Sequence, residues 1–98
     1  MNLKVHFRAE AETDVEEAAE WYEKQCKGLG NKFLDEVLCV CKAISENPNM
    51  YPVVHRHTHR AVIHRFPFAV YYLVEKGTIV IVAVMHGSRH PKQWQKRT

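Results

Sequence analysis

The segment Thr78-Ile79-Val80-Ile81-Val82-Ala83-Val84-Met85-His86 holds seven consecutive apolar residues, most of them β-branched. That run is too short for an ordinary helix and too apolar for a strand with one wet face. It reads as a central strand, covered above and below and flanked on both edges, so the rest of the chain has to supply those neighbours.

Three further strands are legible. Leu3, Val5 and Phe7 alternate with Lys4 and His6, the period of a short strand with one buried face. Arg60 to Arg65 mixes charge with Ala61, Val62 and Ile63 and reads as lying nearer an edge, while Phe68 to Val74 joins the central run through Glu75-Lys76-Gly77 as a hairpin.

Between the first strand and these three the period changes. Val15, Ala18, Ala19, Tyr22 and Cys26 recur at steps of three and four, with Glu16, Glu17, Glu20 and Glu23 opposite, so a helix runs from about Ala9 to near Gly28. After Gly28-Leu29-Gly30, the stripe Leu29, Phe33, Val37, Val40/Cys41 and Ile44 marks a second helix, closed by Asn47-Pro48. The tight link makes them an antiparallel pair. The order is β-α-α-β-β-β: an α+β protein with a helical hairpin on one face of a mostly antiparallel four-stranded sheet, and one helical turn at Pro91 to Trp94.

A chain of 98 residues fits a single domain over 1–98, burying roughly 65% of its unfolded surface. No apolar stretch approaches the roughly 20 residues of a membrane span, and no charged-then-apolar leader opens the sequence, so a cytoplasmic location without membrane contact is expected. Cys26, Cys39 and Cys41 are odd in number and are expected as reduced thiols packed in the core; nothing in the sequence activates one as a nucleophile.

Charge is distributed unevenly. Residues 1–50 hold six Lys/Arg against ten Asp/Glu, and residues 51–98 hold eight against Glu75 alone, giving halves of −4 and +7. Six of the seven histidines fall in the basic half, which points to a macromolecular partner there.

The element order, together with Trp21-Tyr22-Glu23, Phe33-Leu34-Asp35-Glu36, Tyr51-Pro52, Arg65-Phe66-Pro67-Phe68-Ala69-Val70-Tyr71-Tyr72 and Val84-Met85-His86-Gly87-Ser88-Arg89-His90-Pro91 ending in Trp94, resembles the RelE/ParE superfamily of toxins, in its plasmid-stabilisation subgroup. The resemblance implies a growth-inhibiting toxin of a type II toxin-antitoxin system, silenced by a cognate antitoxin with which it forms a hetero-oligomer. The target it implies is either ribosome-bound messenger RNA, cut by a metal-independent endoribonuclease (RelE-like), or DNA gyrase, inhibited without nuclease chemistry (ParE-like). A non-toxic RNA- or protein-binding module, or a degenerate toxin, is the alternative.

A metal-free ribonuclease needs a proton acceptor, a proton donor and cations for the phosphorus centre. Strict alternation puts His86 on the face of Val80, Val82 and Val84, with Arg89 just beyond it, while His64 and Arg65 close another strand; one cleft could collect them. On that reading His86 is the acid or base and Arg65 and Arg89 are phosphate clamps; otherwise they are a strand-end histidine and solvated charges. The RelE-like branch commonly carries an arginine where this chain has Ala69.

Tyr71 and Tyr72 should face opposite sides. Trp94 among Lys92, Lys96 and Arg97 suits either contact with RNA or another target, or an apolar peg for the tail. His55, His57 and His59 alternate as though on one strand face, but no thiolate or carboxylate lies near in sequence, so a solvated loop is the expectation and neither metal nor cofactor is assigned.

Overall fold

The Thr78–His86 run is indeed a strand with neighbours on both edges, and the other elements are arranged around it. A computed structural model describes residues 2–98. Its elements are β1 (Lys4–Phe7), α1 (Ala9–Gln25), α2 (Leu29–Glu46), β2 (Val53–His55), β3 (Thr58–Val62), β4 (Phe68–Glu75), β5 (Thr78–His86) and α3 (Lys92–Gln95), with a 3₁₀ turn at Pro48–Met50.

The sheet has five strands in the order β1-β5-β4-β3-β2, one more than the sequence pattern gives. Only β1 pairs in parallel, with β5; the other pairs are antiparallel. The extra strand is β2, three residues long after Tyr51-Pro52, too short to display a period of its own. It turns back onto β3 through Arg56-His57, pairing His55 with Thr58. The histidine alternation is therefore folded in two. His55 meets Trp94 edge-on, whereas His59 stacks on Tyr72 at 4.8 Å and bonds the Tyr51 carbonyl through Nδ1. The rings lie on opposite sides of the sheet, not on one strand face.

Two cores result. On one face α1 and α2 bury Phe33, Val37 and Ile44 against Val70, Tyr72, Ile79, Ile81 and Val84. On the other, Tyr71, Val80, Val82, Ala83 and Met85 pack under Trp94 from the tail. Tyr71 and Tyr72 thus do take opposite faces. Tyr72 donates to the Pro48 carbonyl at 2.6 Å, tying the sheet to the end of α2.

The hairpin link is held by one side chain: Glu23 accepts the backbone N–H of Gly28 at 2.9 Å and of Gly30 at 3.0 Å. Across the sheet, Lys76 and Gly77 both have positive φ (49° and 76°), the backbone of a two-residue hairpin turn that follows strand twist. Of the cysteines only Cys41 is buried; Cys26 and Cys39 are exposed, because Cys26 caps α1 and Cys39 lies off the apolar stripe of α2.

One irregularity shapes everything at the C-terminal end of β5. Tyr71 pairs with Ala83 but Tyr72 pairs with Ile81, leaving Val82 as an extra residue, a β-bulge. Alternation resumes one residue out of phase, so Val80 and Val82 belong to the face under α3 while Val84 belongs to the helical face.

Candidate functional site

The bulge decides where the predicted residues go. Because it reverses the alternation, His86 pairs with Phe68 and packs edge-on against that ring at 5.4 Å, on the helical face, and not on the face of Val80 and Val82. It borders a small apolar notch of about 410 Å³ with Ala18, Trp21, Tyr22, Pro67 and Phe68. Trp21 stands at this notch 59% exposed, a large aromatic surface that no sequence pattern marked as a site residue.

Next to the notch, Arg89 and Gln93 join His86, Glu17 and Asp14 around a second hollow of about 370 Å³. Arg65 does not line it. That residue sits in the β3–β4 turn with φ 71° and faces a separate groove with Lys32, Asp35 and Glu36 from α2. His64 is exposed in the same turn. The single cleft expected of His64, Arg65, His86 and Arg89 is therefore not assembled: His86 and Arg89 come together, and Arg65 opens onto the α2 side of Pro67.

The chemistry of His86 is fixed by its neighbour. Ser88 donates its backbone N–H to Nδ1 at 3.0 Å, and its hydroxyl lies 2.8 Å from the same nitrogen. A backbone N–H can only donate, so Nδ1 is the acceptor and the ring proton resides on Nε2. In this arrangement Nδ1 is engaged by Ser88, and Nε2 is the ring nitrogen left to meet a partner.

Two tail residues, Trp94 and Arg97, are engaged within the chain itself. Trp94 is 5% exposed and stacks on Tyr71 at 4.3 Å with 16° between planes, so its face is covered and it acts as the peg of the tail. Arg97 donates to Asp14 at 2.7 and 3.3 Å and to the Val82 carbonyl at 3.1 Å; Asp14 also accepts the Val84 N–H at 3.0 Å. The pair thus satisfies two backbone groups at the bulge, and Arg8 closes the arrangement by donating to the Arg97 carbonyl at 2.6 Å. Lys92 and Lys96 remain exposed on α3 and just after it. Asp14 could have been found in the sequence: it is a lone carboxylate on the buried stripe of α1, three residues after Ala11 and four before Ala18.

Beyond the tail the second sheet face is partly open. Arg60 reaches the Tyr71 hydroxyl at 3.3 Å, and Val62, whose strand partner is Ala69, is 60% exposed. At the far end of this face, Arg56, His57, Leu73, Val74 and Glu75 surround a hollow of about 610 Å³. Thr58 also lines it, and its buried hydroxyl has no hydrogen-bond partner among the described residues.

The family model described as the ParE toxin of type II toxin-antitoxin systems, parDE, matches residues 5–91. The chain belongs to this family. Among solved structures it is similar to one described as a chromosomal ParDE toxin-antitoxin system from P. aeruginosa, with a TM-score of 0.77 at 15% identity, covering 86% of this chain and 95% of that one. It is also similar to the RelBE2 toxin-antitoxin complex from Mycobacterium tuberculosis, with a TM-score of 0.64 at 19% identity over 88% of this chain and 92% of that one. Both likenesses are of fold. No curated protein matches the sequence. Among the described residues no helix is long and apolar enough to cross a membrane.

Proposed function

We propose that this ParE-family chain is the toxin of a type II toxin-antitoxin pair, that it arrests growth by binding its target and not by cutting RNA, and that the target is DNA gyrase. The observation that carries the reading is the state of His86. Its Nδ1 accepts from Ser88, Arg65 lies beyond Pro67 and Arg97 is committed to Asp14, so of the cations expected around His86 only Arg89 lines the same hollow. Ala69, at the position where a further cation would stand, is fully buried and paired with Met85. What remains available is contact surface: Arg89, Lys92 and Lys96 at the tail, with His64 at the β3–β4 turn. The family places an antitoxin opposite this toxin, as in the two similar structures, which are described as toxin-antitoxin assemblies.

Inducing the chain alone in a bacterial host, with and without the adjacent reading frame, tests this. Arrest is expected, relieved by the neighbour, with labelled DNA synthesis failing before protein synthesis. His86→Gln should retain toxicity, since an amide still donates. Early failure of translation with cleaved messenger RNA, abolished by that substitution, would instead establish the nuclease. Full growth at verified expression would mark a degenerate toxin or a plain binding module.

A further inference from the structure

The helical core reaches the surface through a chain of aromatic rings. Phe33 of α2, fully buried, meets Phe66 and Phe68 edge-on at 5.2 and 5.1 Å and lies 5.4 Å from Tyr22. Tyr22 in turn packs edge-on against Phe66 at 4.8 Å, and Trp21 stands edge-on to Tyr22 at 5.2 Å as the outermost ring. It ends exposed, while His86 closes the other side of the notch against Phe68. The rings behind Trp21 fix its place, so a partner that covers it orders little that is not already ordered.

The polar groups beside the notch are sorted with equal clarity. In the adjoining hollow Asp14 and Arg97 are engaged with each other. Glu17, Arg89 and Gln93 line the same hollow and make no side-chain hydrogen bond or ion pair among the described residues. The Nε2–H of His86 is free as well, since Ser88 occupies the other nitrogen. One free carboxylate thus stands against one free guanidinium, and the hollow is balanced in charge.

We propose that the notch between α1 and β5 is the anchor point for the toxin's target protein. One aromatic or branched aliphatic side chain of the target enters against Trp21, Pro67 and Phe68; beside it, a main-chain carbonyl accepts from the His86 Nε2–H and a main-chain N–H donates to Glu17. The inference rests on the reading of this chain as a toxin that acts by contact, and it makes that contact apolar and not electrostatic. A volume of about 410 Å³ takes a single protruding side chain. A nucleobase fits poorly, because Ala18, Trp21, Pro67 and Phe68 would bury its polar edges without partners. A phosphate would find Arg89 offset by Glu17. Tryptophan and arginine side by side are, by contrast, the residue types that carry most of the binding energy in protein interfaces.

The test titrates purified gyrase with the chain and with Trp21→Ala, Trp21→Phe and, on the opposite sheet face, Val62→Ala; growth arrest and binding of the product of the adjacent reading frame are measured for each, and circular dichroism verifies the fold. Gyrase affinity and arrest should fall about tenfold or more in Trp21→Ala, less in Trp21→Phe, and within about twofold in Val62→Ala. The affinity of the unaltered chain should drop less than about threefold between roughly 50 and 200 mM salt, where a contact to several phosphates would lose about a thousandfold. Full affinity and arrest in Trp21→Ala would overturn the anchor while leaving the gyrase reading in place, and so would a steep salt dependence or a Trp21→Ala loss confined to the neighbour. If the unaltered chain does not bind gyrase, yet Trp21→Ala abolishes arrest and still binds the neighbour, the gyrase reading falls and the anchor stands. Loss of gyrase and neighbour together, with the fold intact, makes the notch a seat for which the two compete. A chain that neither binds gyrase nor arrests growth overturns both.

Discussion

Asp14 and Arg97 are separated by 83 residues, and their side chains are 14% and 19% exposed, so water screens the pair little. Asp14 also holds the Val84 N–H, and Arg97 the Val82 carbonyl, so removing either side chain leaves both a charge and a backbone group unmatched. Asp14→Ala and Arg97→Ala should each destabilise the protein by roughly 2–3 kcal/mol in urea unfolding, and the double variant by much less than the sum. Additive losses would mean that the two side chains act separately. The same residue scale explains why the sequence left both readings of the Trp94 and Arg97 tail open: a basic-aromatic tail looks alike whether its groups face a target or their own sheet. Only a carboxylate and a tyrosine elsewhere in the chain decide, and neither is near in sequence.

At the scale of elements, the hairpin depends on the close approach of Gly30 to α1. A Cβ there would lie 2.6 Å from the Ala19 carbonyl oxygen and 3.0 Å from the Glu23 carboxylate that clamps the link. Gly30→Ala should therefore cost about 1–3 kcal/mol by forcing the helices apart, read as a lower thermal midpoint. The helices, three of the four expected strands to within a residue or two, and the C-terminal turn were legible, because each repeats its period over enough residues. β3 begins at Thr58 and ends at Val62, whereas the pattern placed it at 60–65; its first residues were read as part of a histidine loop. β2, at three residues, has no period to read. The bulge in β5 was invisible for a different reason. In a strand apolar on both faces, Val82 and Ala83 fit either side equally well, so nothing in the sequence shows that the alternation has slipped.

The candidate site inherits that blindness at the scale of the whole molecule. His86 was expected on the face of Val80 and Val82 and lies on the other, and of the expected cleft only His86 and Arg89 line a common hollow, with Arg65 facing the α2 groove. The core itself carries a pH signature. Burial pushes the Cys41 thiol up to about 11 and the Tyr72 phenol up to about 12, the latter helped by Tyr51 nearby. The native state thus keeps protons that the unfolded chain gives up. Stability should be intact below about pH 9 and fall as pH rises, with Cys41 contributing roughly 2–3 kcal/mol of loss between about pH 9 and 11, and Tyr72 adding to it above pH 10. Urea midpoints in Cys41→Ala should show a shallower alkaline decline; an unchanged slope would assign the decline to other groups. Thiol labelling separates the same residues kinetically, with Cys26 and Cys39 modified at once and Cys41 only on unfolding.

Because a bulge is one residue of arithmetic, it is also one codon of genetics. Loss of the Val82 triplet would leave Ile81 opposite Tyr72 and Ala83 opposite Tyr71, so β5 would alternate strictly with Val84 and His86 on the faces they already hold, and what would disappear is the Val82 carbonyl that Arg97 grips. A lineage of such small toxins could in this way shed the bulge in one mutational step, keeping the surface displayed beyond it while losing one of the anchors of its tail.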